Sequence, residues 1–238
     1  MATPVMHRLK SLAPTISVGM MTANLLNLGT DISTLETTDV QILHFDVMDG
    51  CFIPMMTVGP PIIKAVKTPM IKDVHLMIDD PLNKLNDYVD AGADMITVHL
   101  ESGPHMHRVL QSLGKMQNVN DPERGITRGL AINPGTPVSD LQPFLDEVDV
   151  ITLLAINPGW GGQGFIKSTV QRIADVKQMI SKSGREILIA VDGGISRKNI
   201  AEVSQMGADI IVTGSAVFDG KAPLENAKFM LDAVRGKA

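Results

Sequence analysis

The chain has 238 residues, is 44% hydrophobic and 20% charged, and carries a net charge of −5. That length and apolar content allow a sizeable core, enough for one α/β barrel of about 250 residues or two smaller domains. The scattered Lys and Arg residues exclude a basic nucleic-acid face, the single Cys51 excludes an intramolecular disulfide, and no apolar run suits a membrane span.

Residues 1–14 contain His7, Arg8 and Lys10 but no apolar stretch of the secretory kind. They read as a short N-terminal extension to one domain covering 1–238, and the cytoplasm is the expected location. From there, short β-branched and aliphatic runs predict strands at 15–21, 42–48, 72–78, 95–100, 127–132, 149–156, 186–192 and 209–214. Amphipathic patterns predict helices at 24–38, 60–66, 82–91, 104–116, 138–147, 168–183, 198–206 and 222–235. Asp140 and Ser196 stand at N-cap or pre-helix positions, and Gly92 and Gly207 stand where helices should stop. Alternation of this kind implies a parallel sheet with right-handed crossovers, closing as a single (β/α)₈ TIM barrel. An open doubly wound sheet would need a glycine-rich turn after the first strand, and Met20-Met21-Thr22-Ala23-Asn24 lacks it. The irregular patch 116–128 joins a helix to a strand, so it falls at the barrel bottom as a surface insertion.

The second strand carries the strongest chemical signal. Side chains alternate along a strand, so His44, Asp46 and Met48 share one face while Leu43, Phe45 and Val47 share the other. His75 and Met77 end the third strand with the same grammar, and Asp192 closes the seventh before Gly193-Gly194. Strand C-termini converge on one mouth in a barrel, so His44, Asp46, His75 and Asp192 form a mixed nitrogen–oxygen cage for one divalent ion. His99 ends the fourth strand without a paired ligand two residues away and reads as structural, while His105 and His107 fall on a surface helix.

A phosphate signal lies elsewhere on the same rim. Asn157-Pro158-Gly159-Trp160-Gly161-Gly162-Gln163-Gly164 follows the sixth strand, Gly193-Gly194 the seventh and Thr213-Gly214-Ser215-Ala216 the eighth. Glycines let backbone N–H groups approach an anion, and the loop Gly159–Gly164 also suits a mobile lid. Two acids, a metal and a phosphate grip suit removal of a proton beside a ketone, the ion stabilising the enediolate oxygens. One Asp takes the proton from one face and the other returns one to the opposite face, so the carbon inverts. Met48 and Met77 would cap that enediolate without donating protons, although with 15 Met residues core filling is an alternative.

The combination His-Phe-Asp-Val-Met-Asp-Gly, Val-His-Leu-Met, Asn-Pro-Gly-Trp-Gly-Gly-Gln, Val-Asp-Gly-Gly-Ile and Thr-Gly-Ser-Ala resembles the ribulose-phosphate 3-epimerase family. The similarity runs from about Ile16 to Phe218 and beyond. It implies a TIM barrel of the ribulose-phosphate-binding type and interconversion of D-ribulose 5-phosphate and D-xylulose 5-phosphate, a reaction of the pentose phosphate pathway. Carried over by motif, it implies His44, Asp46, His75 and Asp192 as metal ligands and Asp46 and Asp192 as the acid–base pair. It further implies phosphate contacts at Gly193, Gly194, Gly214 and Ser215, under a loop around Gly159, Gly161 and Gly162. The implied cofactor is one divalent ion (zinc, iron(II), manganese or cobalt), the partner a small sugar phosphate, and the assembly a homo-oligomer.

Four positions break the family pattern: Gly19 for a serine, Cys51 for a histidine, Met55 for an asparagine and Leu154 for a methionine. None is a predicted ligand, but all lie near the mouth, so a 3-epimerase of another ketose phosphate, such as D-allulose 6-phosphate, is the first rival. A sugar-phosphate decarboxylase or aldolase would need a lysine that Asp46-Val47-Met48-Asp49 lacks, and a non-catalytic sugar-phosphate binder would not need both acids.

Overall fold

Period-two alternation divides each strand between two environments, and that division builds the molecule. The structure, a computed structural model, describes residues 4–123 and 125–237. Its strands are β1 (Thr15–Gly19), β2 (Ile42–Met48), β3 (Ile71–Met77), β4 (Met95–His99), β5 (Thr127–Ile132), β6 (Val150–Leu154), β7 (Leu188–Asp192) and β8 (Ile210–Thr213). All pair in parallel and in sequence order, and β8 pairs with β1 to close the barrel. Helices α1 (Val5–Leu12), α2 (Leu28–Glu36), α3 (Pro60–Ala65), α4 (Leu85–Asp90), α5 (Met106–Leu113), α6 (Thr169–Ser183), α7 (Ile200–Gln205) and α8 (Pro223–Val234) complete the order.

Leu43, Phe45 and Val47 pack outward with helix residues such as Ile32, Leu35 and Ile63 in the shell between barrel and helices. The opposite parity fills the lumen. Ile42, Ile71, Met95, Val150, Leu188 and Ile210 form an apolar layer at the N-terminal end of the strands. Above it the inward positions turn polar, with His44 and Asp46 on β2 and Asp73 and His75 on β3.

The predicted N-terminal extension is structured. From Val5 it forms α1, whose Val5 and Leu9, one turn apart, pack into the apolar lumen layer and close the barrel's lower end. Residues 1–3 of that extension lie outside the described residues. Burying Leu9 completely contributes about 2 kcal/mol by transfer alone.

Other elements differ from expectation in local chemistry. The predicted 24–38 helix begins as a 3₁₀ turn at Leu25–Asn27, where the Asn24 side chain accepts the Leu26 N–H, before α2 starts. The predicted 138–147 helix is a 3₁₀ segment over Val138–Phe144, because Pro143 cannot donate to an α-ladder. Asp140 therefore lies inside that segment's first turn and is not its cap. Ser196 is a pre-helix residue, its N–H donated to Asn199 Oδ1 at 2.7 Å one turn before α7. Gly92 and Gly207 follow α4 and α7 with φ of 87° and 75°.

The described residues of the 116–128 patch do lie at the barrel's lower end, and they are anchored there. Asn118 is fully buried, donates to Asp94 Oδ1 at 3.3 Å and accepts from the Asn120 and Asp121 backbones at 2.7 and 3.0 Å. Lys72 is pinned nearby, its buried ammonium donating to the carbonyls of Ile63, Val66 and Ala91 at 3.0–3.3 Å. One cation thereby satisfies carbonyls at the ends of α3 and α4, which helix termini leave without partners.

Candidate active site

The barrel register brings the predicted ligands together. Asp46 pairs across from His75 and His44 from Asp73, so four inward polar side chains of β2 and β3 share two adjacent levels. Asp192, the last residue of β7, reaches the same point from the far side of the lumen. His44 Nε2 lies 3.1 Å from Asp46 Oδ1 and 3.9 Å from Asp192 Oδ2. His75 Nδ1 lies 3.2 Å from Asp46 Oδ1 and 3.6 Å from Asp192 Oδ2. The ligand atoms of all four residues fall within 4.8 Å of one another. A tetrahedral ion bonded at about 2.0–2.1 Å separates its ligands by roughly 3.3 Å, so these spacings suit a single divalent ion. The donor set of two imidazoles and two carboxylates matches several metals.

The electrostatics are those of opposed charges forced together out of water. His44 is 2% exposed. Burial alone would lower its pKa, but Asp73 and Asp46 outweigh burial and raise it well above the usual imidazole range. Burial pushes Asp46 up, yet His44 and His75 hold it far below the usual carboxylate range. Asp192 moves the other way, pushed up to about 6 first by burial and then by the Asp46 charge. The environment thus separates two like carboxylates, the pattern by which a site assigns one acid and one base.

Each imidazole is oriented from behind. His44 Nδ1 donates to Asp73 Oδ2 at 2.7 Å, and that oxygen also accepts the Ser17 hydroxyl at 3.0 Å. A carboxylate behind a histidine fixes the ring and holds Nε2 where an ion would take the place of its proton. His75 turns its Nε2 to His99 Nε2 at 2.8 Å, and His99 Nδ1 faces Glu101 Oε2 at 3.2 Å. The reading of His99 as unpaired is therefore corrected: its acid, Glu101, sits two residues on, in the 3₁₀ turn Leu100–Ser102. Burial first, with His75 adding to it, lowers the His99 pKa to about 4 against the pull of Glu101. The Glu101 carboxyl is held at about 2 against its burial by His99, Thr136 and the Asn133 N–H. Asp73, His99 and Glu101 were missed as functional residues; the H-x-E spacing at the end of β4 was the available signal.

Above the cluster lies a cavity of about 700 Å³. Asp46, Asp192, Met48, Met77 and Leu154 line its floor. Gly159, Gly161 and Gly162 line one wall, and Gly193, Gly194, Gly214 and Ser215 another. Gly19 and Met55 also line it, whereas Cys51 is exposed in the loop after β2. His107 is exposed on α5 as expected, whereas His105 stands at its N-cap and not within the helix.

Two of these loops are held by single side chains. Gln163 donates to the carbonyls of Asn157 and Trp160 at 2.6 and 2.7 Å and closes the loop after β6 on itself. Asn199 donates to Gly194 O at 2.9 Å and fixes the turn after β7. Gly193 and Gly194 adopt φ of 101° and 69°, and a Cβ on Gly194 would stand 2.8 Å from the Phe165 backbone. Only glycine permits that approach. Lys198 is the one cationic side chain among the described residues lining the cavity, one turn beyond those glycines. A separate groove of about 560 Å³ between residues 138–145 and α6 contains none of the strand-end residues.

Fold and site together define a (β/α)₈-barrel protein whose mouth holds a candidate mononuclear metal centre. The model of the ribulose-phosphate 3 epimerase family matches residues 15–218. The chain is 38% identical over 206 residues to ribulose-phosphate 3-epimerase of Bacillus subtilis, covering 85% of this chain and 91% of that protein. It is 38% identical over 207 residues to the Escherichia coli enzyme of the same name, covering 86% and 88%. Among solved structures, 3-hexulose-6-phosphate synthase from Salmonella typhimurium superposes with a TM-score of 0.65 at 18% identity, covering 94% of this chain and all of that one. The latter likeness is one of fold. The chain belongs to the ribulose-phosphate 3-epimerase family.

Proposed function

We propose that this protein is an isomerase that inverts C3 of a ketose phosphate, with D-ribulose 5-phosphate and D-xylulose 5-phosphate as the substrate pair. The single observation that carries the reading is the convergence of Asp46 and Asp192, from β2 and β7, on the point faced by His44 Nε2 and His75 Nδ1. The names of the relatives support the choice of pentulose phosphate.

His44, His75, Asp46 and Asp192 would hold the divalent ion, whose chemistry there is to polarise the ketone and neighbouring hydroxyl oxygens. One of the two aspartates accepts the C3 proton while the C–H electron pair moves toward the ketone oxygen. The other delivers a proton to the opposite face of C3, the ketone re-forms and no electron is gained or lost. Met48 and Met77 cover the flat intermediate with side chains that donate no protons. Gly193, Gly194, Gly214 and Ser215 offer backbone N–H groups to the phosphate, and Gly159, Gly161 and Gly162 form the covering loop. A barrel of one domain in a reducing cytoplasm suits the free thiol of Cys51, and we read the assembly as a homo-oligomer.

A second reading, 3-epimerisation of a hexulose phosphate such as D-allulose 6-phosphate, is favoured by Gly19, Met55 and Leu154, which all line the cavity. Incubation of metal-loaded protein with pentulose and hexulose phosphates in deuterated water tests both. Deuterium should enter C3, fastest in the true substrate, and no exchange in any of them removes the assignment. Asp46→Asn and Asp192→Asn should each lower turnover by about 100-fold or more, since Asn can ligate through oxygen but cannot act as a base. Near-normal turnover in either variant would end the two-base scheme.

A further inference from the structure

The two imidazoles of the candidate metal centre present different nitrogens, and this demands different support. His44 offers Nε2 and has the Asp73 carboxylate directly behind Nδ1. His75 offers Nδ1, and behind its Nε2 stands another imidazole. Two ring nitrogens 2.8 Å apart share one proton, so one must donate and the other accept. For Nδ1 of His75 to bind an ion it must be bare, which puts the ring proton on Nε2. His99 must then accept at Nε2 and carry its own proton on Nδ1.

That tautomer of His99 needs an acceptor, and Glu101 Oε2 supplies it at 3.2 Å. The orientation of Glu101 is itself fixed. Its Oε1 accepts the Asn133 N–H at 2.8 Å, a group that can only donate, together with the Thr136 hydroxyl. Arg172 in turn donates to the carbonyls of Asn133 and Thr136 at 2.8 and 2.9 Å, which holds that loop against the start of α6. The rings of His75 and His99 are nearly parallel, 18° apart with centroids at 4.9 Å, and meet edge to edge through these two nitrogens, as an in-plane N–H···N bond requires.

We propose that Glu101, acting through His99, is a positioning residue that sets the direction of the proton chain and holds His75 in the tautomer that exposes Nδ1. The inference rests on the metal reading above. It adds a second carboxylate, one imidazole removed from its ligand, as the counterpart of Asp73.

Glu101→Gln separates this role from simple packing. The carbonyl oxygen of the new amide is claimed by the Asn133 N–H, which leaves the NH₂ group facing His99 Nδ1. That nitrogen must then accept, His99 must donate from Nε2, and the proton of His75 is driven onto Nδ1. In the Zn²⁺-loaded full chain labelled with ¹⁵N-histidine, His75 should be protonated at Nε2 and His99 at Nδ1 in the wild type, and the His99 proton should leave Nδ1 in E101Q. The affinity of E101Q for Zn²⁺, measured by competition with a chromogenic chelator, should fall about 10–100-fold with circular dichroism unchanged. An unshifted tautomer with unchanged Zn²⁺ affinity overturns the proposal. Should E101Q not fold, His99→Phe keeps the ring and removes the acceptor, and the same loss of Zn²⁺ affinity is expected; undiminished affinity there overturns it equally. If His75→Ala binds Zn²⁺ as tightly as the wild type, the metal reading fails, and the histidine tautomers of E101Q still decide the proton chain.

Discussion

Lys198 shows how a single residue can matter without touching the reacting carbon. It is exposed, yet it is the one cation among the described residues lining the mouth, beside glycines that can give only partial charges. An exposed ion pair contributes little, about 0.2–1 kcal/mol, and does so equally in the ground and transition states. Lys198→Ala should therefore raise KM for the ketose phosphate by about 2–5-fold and leave kcat close to wild type. The increase should shrink in high salt. Steady-state kinetics at two ionic strengths check it; an unchanged KM at low salt, or a collapse of kcat, would remove Lys198 from phosphate recognition.

At the scale of elements, α1 is the clearest case of a local segment with a distant purpose. Leu9 has no exposure and fills the lower lumen among residues from several strands. Leu9→Ala should cost about 2–5 kcal/mol, a fall in Tm of several degrees in a thermal melt. A shift below a degree would mean that the lower layer closes without the helix. Nothing in residues 5–12 alone announces this, because two apolar side chains one turn apart acquire meaning only when a barrel lies above them. The same limit explains what else was illegible. His44 and Asp46 were readable because alternation acts within one strand. Asp73 behind His44, and His99 behind His75, depend on inter-strand register, which no single segment encodes. The apolar spacing of 138–147 suggests an α-helix, but Pro143 within it makes Val138–Phe144 a 3₁₀ segment. By contrast, all eight strands were found within about two residues, since short apolar runs bounded by turn residues are the strongest local signal in such a fold.

The whole molecule presents Leu25, Leu26, Met56 and Ile62 to solvent on the loops and helix that follow β1 and β2, with Leu26 95% and Met56 79% exposed. Large exposed apolar side chains on the segments after β1 and β2 suit an association surface. Sedimentation of the full chain should give a species at least twice the 25.6 kDa of one copy. A single species at that mass down to micromolar concentration would refute self-association.

Closure of the lower end by Val5 and Leu9 also decides traffic. Among the described residues the lower lumen is filled by apolar side chains beneath the cavity, so reactant and product share the mouth, past Trp160 and the loop that Gln163 closes. Each catalytic cycle then requires that doorway to clear before the next molecule can enter, and an epimer lingering there competes directly with fresh reactant. Departure, as much as proton transfer, is a step this architecture can slow.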